Sequence, residues 1–161
     1  MYQHIIKARY SKVVRPHHCS MKKYKVGESQ QYREIHSVLI DNIVDIAGIG
    51  PHSTFVDLGS GVGNVCRQIS LKTGCRCYGV ELLANPAQLA RALSEQIHVF
   101  SYIWGYEHKG PVDLHHGDMR TNGTTMPAIK EVDVIYINNF KFEPSCVYIF
   151  PYLFYIYLTW T

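Results

Sequence analysis

A glycine-rich loop between a predicted strand and a predicted helix is the feature that most restricts the fold of this chain. Residues 54–58 are apolar and β-rich, and residues 64–73 have the pattern of a helix. Gly59, Gly61 and Gly63 fall in the turn between them. Glycine permits sharp backbone bends and leaves room for a ligand against the backbone. This order of strand, loop and helix predicts an α/β domain with a binding site at the turn.

Strands and helices continue to alternate after the loop. Further strands are predicted at 77–81, 112–115 and 132–137, and a further helix at 86–104. An earlier helix is predicted from residue 29 until Gly48, Gly50 and Pro51 end it. Its apolar residues recur at three- and four-residue intervals and are Tyr32, Ile35, Val38, Leu39, Ile43 and Ile46. The alternation predicts a Rossmann-like fold with a parallel sheet.

Two acidic residues near the loop distinguish between the cofactors that such folds bind. Dinucleotide-binding loops have the spacing G-x-G-x-x-G, whereas here the third glycine comes one residue early and Asp57 precedes the loop. A carboxylate there would repel a pyrophosphate and attract the ammonium and sulfonium groups of S-adenosylmethionine. Glu81, 24 residues after Asp57, is placed to accept hydrogen bonds from both ribose hydroxyls. We therefore predict an S-adenosylmethionine cradle in a class I methyltransferase sheet.

Polar residues also follow the third and fourth predicted strands. Asp118 is placed to accept a hydrogen bond from an adenine amine, with Met119 packing on the ring, or else it is a simple turn aspartate. Asn138 and Asn139 follow the fourth strand, where their amides could orient a substrate amine, and Phe142 could wall a narrow channel. The alternative is that the asparagines only cap the strand.

The cysteines indicate a reduced environment. There are five, without paired C-x-x-C spacing, which favours neither a disulfide framework nor a zinc ribbon. Cys75 and Cys77 would share one face of a strand, and a metal shared with His17, His18 or Cys19 is less favoured than two packed thiols. No metal site is predicted. The amino end has no secretory signal pattern, so we expect the chain to stay inside the cell.

Positive charge is concentrated at the amino-terminal end. Residues 1–25 contain no acidic residue and hold Lys7, Arg9, Lys12, Arg15, Lys22, Lys23 and Lys25. Such an arm could neutralise the phosphates of nucleic acid. The alternative is a solvated, poorly ordered terminus.

The carboxyl-terminal residues 146–161 differ from the rest of the chain. They are rich in Tyr, Phe, Ile and Leu, contain Pro151 and have no charged residue. A bilayer span needs about 20 apolar residues, so no membrane partner is predicted. A buried strand, an interfacial segment and a sequence artefact all remain open, and we favour the artefact.

Four segments of the chain resemble the disruptor-of-telomeric-silencing family, the histone H3 lysine methyltransferases that lack a SET domain, and especially its fungal members. In chain order they read F-V-D-L-G-S-G-V-G-N-V, G-C-R-C-Y-G-V-E-L, G-D-M and V-I-Y-I-N-N-F-K-F, and the resemblance covers residues 25–143. It implies a nuclear enzyme that uses S-adenosylmethionine to methylate a lysine of histone H3 in nucleosomes.

The resemblance also implies site residues and domain boundaries. Gly27, Glu28 and Ser29 would belong to a loop that closes over the methionine part of the cofactor. The full set expected to bind cofactor is Glu28, Ser29, Asp57, Gly59, Gly61, Asn64, Glu81, Asp118 and Met119. Asn138 and Phe142 would border the lysine channel as the catalytic pair. A partial methyltransferase domain at 26–145 would follow the basic arm 1–25 and precede the apolar tail 146–161.

Two departures from the family leave alternatives open. Val26 stands where many members have tyrosine, and the family's core continues beyond the asparagine pair where this chain enters its apolar tail. We therefore expect a sheet that is incomplete after the fourth strand and little or no methyl transfer by this chain alone. An inactive fragment that binds cofactor or chromatin is one alternative. Methylation of an amide or nucleobase nitrogen is a weaker one, because Asn139 and Phe140 replace the prolines usual in those enzymes.

Overall fold

Strands and helices alternate along the chain, as the sequence pattern predicts. The computed structural model describes residues 2–17, 37–106, 109–119, 121, 132–137 and 155–156. Its strands are β1 (Thr54–Leu58), β2 (Arg76–Glu81), β3 (Val112–His116), β4 (Val134–Ile137) and β5 (Tyr155–Ile156). Its helices are α1 (Tyr2–Val13), α2 (Ser37–Ala47), α3 (Asn64–Thr73) and α4 (Ala84–Ile103), with a 3-10 turn at Arg15–His17.

The strands form one parallel sheet in the order β3-β2-β1-β4-β5. From β1 the chain passes through α3 to β2 and through α4 to β3, which lies at one edge. It then returns to β4 on the opposite side of β1, so the strand order reverses beside β1. Open α/β sheets bind their ligands at such a reversal, outside the carboxyl ends of the strands. The loop after β1 lies at this position.

Glycines set both ends of α3. Gly63 precedes the helix with φ 78°, and Gly74 follows it with φ 81°, both in the left-handed region. The Gly74 N–H group donates to the carbonyl of Ser70 and closes the last turn. The predicted bounds of β1 and α3 agree with the structure because a short apolar run and two glycine boundaries are local signals.

One face of the sheet packs against α2 and α3. In α2 the buried residues are Ile40, Ile43 and Val44. The spacing also predicts that Ile46 lies on the buried face. This prediction is wrong, because 81% of the residue is exposed. Ala47, the next residue, packs against the core, and the rotation of about 100° per residue in a helix turns Ile46 away from the sheet. The predicted start of this helix, 29–36, lies outside the described residues.

The amino-terminal helix packs on the domain. One hydrophobic cluster joins α1, α4 and the glycine loop through Ile6, Tyr10, Val14, Val62, Leu93 and Ile97. The Arg9 guanidinium also lies 3.7 Å from the centre of the Phe100 ring on α4. The alternative of a solvated, poorly ordered terminus is therefore wrong for residues 2–17, because the apolar side chains of α1 are buried against α4.

Two residues of the apolar tail extend the sheet. Tyr155 and Ile156 pair in parallel with Ile135 and Tyr136 of β4. The tail thus adds a two-residue strand beside β4, as the buried-strand alternative allowed, because an uncharged, β-branched and aromatic segment can pair with an open strand edge. The rest of the tail lies outside the described residues. Within the described ranges, none of the helices has both the length and the apolar character needed to cross a membrane.

Candidate functional site

The loop after β1 folds back over the end of β2. Gly59 and Ser60 both donate backbone N–H groups to the carbonyl of Val80, at 2.9 and 3.0 Å. Gly59 and Gly61 have φ values of 87° and 56°, where residues with a side chain are strained. Gly59 is also exposed. Gly61, Val62 and Gly63 are buried, so a ligand at the carboxyl end of the sheet has access to the loop backbone at Gly59 and the half-buried Ser60.

Glycines on neighbouring elements allow the loop to lie close to the sheet. A Cβ on Gly79 in β2 would lie 2.8 Å from Ser60 Cβ. A Cβ on Gly63 would lie 2.4 Å from Leu114 Cδ1 in β3. Real Cβ atoms do not approach other atoms this closely, so a side chain at Gly79 would push the loop away from β2, and one at Gly63 would displace the Leu114 side chain.

Glu81 joins the glycine loop to the segment after β2. Its Oε2 accepts a hydrogen bond from the Gly61 N–H group at 2.8 Å, and its Oε1 accepts one from the Leu83 N–H group at 2.8 Å. Each carboxylate oxygen has two lone pairs, so each can accept one further hydrogen bond. Glu81 is thus oriented by the backbone and retains capacity for two hydroxyl donors.

Asp57 is buried beneath the same loop. Only 2% of the residue is exposed, and it pairs in register with Gly79 on one side and Tyr136 on the other. Burial, and to a lesser extent the charge of Glu81, raises the pKa of Asp57 to about 8. The ionised Asp57 assumed from the sequence is therefore mostly protonated at neutral pH in this structure. A cation close to it would favour the ionised form.

Asn64, the first residue of α3, carries a buried acceptor. Its Oδ1 has no hydrogen-bond partner in the part of the chain that the structure describes. Leaving a buried acceptor unsatisfied costs about 1–3 kcal/mol. A ligand with an N–H or O–H donor would remove this cost. The free acceptor, the exposed glycine backbone and Glu81 together fit a cofactor that has hydroxyl and ammonium groups.

The turn after β3 lies beside Glu81. The Gly117 N–H group donates to the Glu81 carbonyl at 2.9 Å, which holds this turn against the end of β2. Asp118 and Met119 follow and are half-buried. Met119 packs against the hydrophobic cluster that contains Val80. The structure therefore brings Asp118 and Met119 to the same end of the sheet as the glycine loop and Glu81.

Four predicted site residues lie outside the described residues: Glu28, Ser29, Asn138 and Phe142. β4 ends at Ile137, so Asn138 directly follows a strand that neighbours β1. Their roles remain predictions.

Sequence reasoning missed Arg67, a buried residue of α3. Only 2% of it is exposed. Its guanidinium donates to the Val62 carbonyl in the glycine loop, and to the Ala90 carbonyl and Ser94 Oγ in α4. The one available signal was a charged residue among apolar neighbours in the first half of a helix. That signal does not reveal its partners in α4, which are 23 and 27 residues away.

Cys75 and Cys77 pack together in the core. Both are fully buried, and their Sγ atoms lie 3.5 Å apart. The hydrogen bond between them and burial raise the pKa of Cys77, which therefore keeps its proton. Among the residues that the structure describes, no group of three or more His, Cys, Asp or Glu side chains could hold a metal ion. His18 and Cys19 lie outside those residues.

Two solved structures share this fold. An RNA methyltransferase from Salinibacter ruber, in complex with S-adenosyl-L-homocysteine, has a TM-score of 0.53 and 19% identity over 73% of this chain and 66% of that one. An O-methyltransferase from Bacillus cereus, in complex with the same ligand, has a TM-score of 0.50 and 14% identity over 81% of this chain and 54% of that one. At these identities the similarity establishes the fold alone, and it confirms the predicted Rossmann-like sheet.

Curated relatives agree with the resemblance found in the four sequence segments. A protein from Chaetomium globosum named histone-lysine N-methyltransferase, H3 lysine-79 specific, is 34% identical over 142 residues, which is 88% of this chain and 28% of that protein. A protein of the same name from Cryptococcus neoformans is 37% identical over 119 residues, 74% of this chain and 18% of that protein. The chain thus spans less than a third of the length of either relative. The family model described as histone methylation protein DOT1 matches residues 10–150, and the chain belongs to this family.

Proposed function

We propose that this protein is the cofactor-binding part of an S-adenosylmethionine-dependent methyltransferase whose acceptor is lysine 79 of histone H3 in nucleosomes. The observation that carries the cofactor proposal is Glu81, whose carboxylate is oriented by two backbone N–H groups and retains a lone pair on each oxygen. The acceptor is supported by family membership and by the names of the relatives from Chaetomium globosum and Cryptococcus neoformans. A nuclear location follows from a histone substrate.

Each described site residue has a distinct task in this proposal. Glu81 accepts hydrogen bonds from the two ribose hydroxyls. Asp57 attracts the ammonium group, and Asn64 supplies its unsatisfied acceptor to a donor of the cofactor. Asp118 accepts from the adenine amine while Met119 packs on the ring. When bound, S-adenosylmethionine supplies an electrophilic methyl group on its sulfonium.

The acceptor lysine must be neutral when it attacks. At its ordinary pKa of about 10.4, deprotonation at neutral pH costs about 4–5 kcal/mol, and an apolar channel would lower this cost. Phe140 and Phe142 are the proposed wall of that channel, and Asn138 is proposed to orient the amine. The reaction then depends on placing the nitrogen in line with the methyl group. No general base is assigned.

Calorimetry with S-adenosylhomocysteine tests the cofactor site. We expect Glu81→Ala to weaken binding by about tenfold to a hundredfold, since one or two hydrogen bonds to a charged acceptor are lost. Glu81→Gln keeps the size but loses the charge and should give a smaller loss. Glu95→Gln removes an exposed carboxylate from α4 and serves as the control. Equal affinities in folded wild-type and Glu81→Ala proteins would contradict the assignment.

A transfer assay tests the acceptor. Tritiated methyl transfer would be measured with nucleosomes, with nucleosomes that carry arginine at H3 position 79, and with free DNA. The protein and a version continued with a relative's sequence after residue 145 would be compared. Label on histone H3 that is lost with the arginine nucleosome supports the proposal. Label on DNA would favour methylation of a nucleobase, and cofactor binding without label in either version would favour the inactive fragment.

DNA is the further partner that we propose, through the outer face of α1 and the 3-10 turn. His4, Lys7, Lys12 and Arg15 are all exposed there. His4, Lys7 and Lys12 lie on the exposed half of α1, away from the buried Ile6 and Tyr10, and Arg15 follows in the 3-10 turn. The exposed charges of Lys7, Lys12 and Arg15, in a segment whose residues 1–25 contain no acid, fit the phosphates of nucleosomal DNA.

A further inference from the structure

We propose that Arg67 is a positioning residue of the cofactor loop: it holds the Val62 carbonyl against α4 and so keeps the Gly61 N–H group directed at Glu81. The inference rests on the proposed cofactor site and goes beyond it, because Arg67 acts through the loop and not on the cofactor.

The guanidinium connects two elements. Its Nη1 donates to the carbonyl of Val62, in the loop between β1 and α3. Its Nη2 donates to the Ala90 carbonyl at 2.8 Å and to Ser94 Oγ at 2.7 Å, both in α4. The planar guanidinium has donors on separate nitrogens at fixed angles, so one group can bridge a loop and a helix.

The loop bond constrains the residue that binds Glu81. Val62 lies between Gly61 and Gly63, whose φ values of 56° and 78° show that both use the conformational freedom of glycine. Without a restraint such a loop has many accessible conformations. Because Arg67 holds the Val62 carbonyl, it restricts the peptide between Val62 and Gly63. The Gly61 N–H group, one residue earlier, then remains 2.8 Å from Glu81 Oε2.

The surroundings of the guanidinium match this task. A Cβ on Gly63 would lie 3.0 Å from Arg67 Nη1, so the glycine leaves room for the group beside the loop. Burial of a cation is unfavourable unless hydrogen bonds compensate it. Arg67 is 2% exposed and meets this requirement with three acceptors, one of which belongs to the loop. A residue that only joined α3 to α4 would not need the bond to Val62.

Three variants test the inference. Arg67→Met keeps a similar size but removes every side-chain donor. Arg67→Lys keeps the charge but loses the planar guanidinium with its donors on separate nitrogens. Ser70→Ala is the matched control, because Ser70 is also fully buried on α3 and its hydroxyl donates to the Gly110 carbonyl at 2.8 Å, at the far end of the helix from the glycine loop.

Amide hydrogen exchange without cofactor reports on the loop directly. In Arg67→Met the N–H groups of Gly61 and Gly63 should exchange at least about tenfold faster, while those of β1 and β2 keep their protection. Arg67→Lys should restore part of the protection. Ser70→Ala should leave both glycines at wild-type rates. Unchanged exchange at Gly61 and Gly63 in folded Arg67→Met would overturn the inference.

Affinity for S-adenosylhomocysteine links the loop to binding. Arg67→Met should bind about tenfold more weakly than Ser70→Ala of similar thermal stability. The effects of Arg67→Met and Glu81→Gln should be less than additive, because both act through the Gly61 N–H group. Additive losses, or equal losses in Arg67→Met and Ser70→Ala, would show a merely structural role. Absence of binding by wild type would instead overturn the proposed function, while hydrogen exchange still decides whether Arg67 orders the loop.

Discussion

Two carboxylates at the end of the sheet have different environments and therefore different roles. Glu81 is half-buried, and its carboxylate accepts hydrogen bonds from two backbone N–H groups. Asp57 is buried, and burial together with the nearby charge of Glu81 raises its pKa to about 8. The Cys66 thiol, 4.0 Å from Asp57 Oδ2, is too weak a donor to offset this. The backbone thus orients the Glu81 carboxylate, whereas burial keeps a proton on Asp57 unless a cation lies beside it.

The free energy of unfolding of the cofactor-free protein should decrease as pH rises through the range in which Asp57 is protonated in the folded protein and ionised in the unfolded chain. The pKa of Asp57 is about 8 in the folded protein and 3.8 ordinarily. Between these values the folded protein keeps a proton that the unfolded chain has lost, so the free energy of unfolding falls with rising pH. Asp57→Asn cannot ionise and should show a smaller fall between about pH 5 and pH 8 in denaturant titrations.

Comparison with wild type isolates the contribution of Asp57, because every other ionisable group is present in both proteins. Asp45→Asn, which removes an exposed carboxylate from α2, is the control and should follow the wild-type profile. If Asp57→Asn lost as much stability as wild type over this range, burial would not be holding a proton on Asp57.

At the scale of elements, α1 is a helix with two different faces. Its inner face contributes Ile6 and Tyr10 to the cluster that includes Val62 of the glycine loop. Its outer face carries Lys7 and Lys12, and Arg15 follows in the 3-10 turn. Only the inner face is needed for packing on α4. The outer cations remain available for a partner, while the helix that carries them contacts the cofactor loop.

Removing the outer cations of α1 should weaken DNA binding in a salt-dependent manner. The triple variant Lys7→Gln, Lys12→Gln, Arg15→Gln should lower the slope of log affinity against log salt concentration by up to about 3, since each phosphate contact contributes about 0.9. Gel-shift titrations at several salt concentrations measure this slope. Lys109→Gln removes one exposed lysine from outside α1 and is the charge-matched control for the single variant Lys7→Gln. An equal loss in that control would attribute the effect to overall charge.

For the whole molecule, α1 joins the domain through α4 and the glycine loop, so it should unfold together with the sheet. Ile6→Ala removes a side chain that is 6% exposed and should lower the free energy of unfolding by about 2–4 kcal/mol. Ile46→Ala, at a position that is 81% exposed, should change it by less than about 0.5 kcal/mol. Urea unfolding followed by circular dichroism would show one transition in both variants. A separate early transition for α1 would contradict this.

The elements around the glycine loop could be predicted because their signals are local. The strand before the loop, the glycines and the helix after it lie within twenty residues, and the residue pattern there is enough to define them. The position of Glu81 beside this loop could be predicted, because the residue ends the strand that directly follows that unit. Ile46 and the packing of α1 could not be predicted, because an apolar residue does not reveal which neighbour, if any, will cover it.

The sequence by itself therefore determined the order of strands and helices, the position of the ligand loop and the types of polar group around it, since these follow from periodicity, glycine and the residue after each strand. Only the tertiary structure decided the burial, protonation and contacts of particular residues. It buried Asp57 enough to keep its proton, placed α1 against Val62, and brought Arg67 to Ala90 and Ser94 in α4. These outcomes depend on contacts between residues that are distant along the chain, and burial and hydrogen bonding are properties of such contacts.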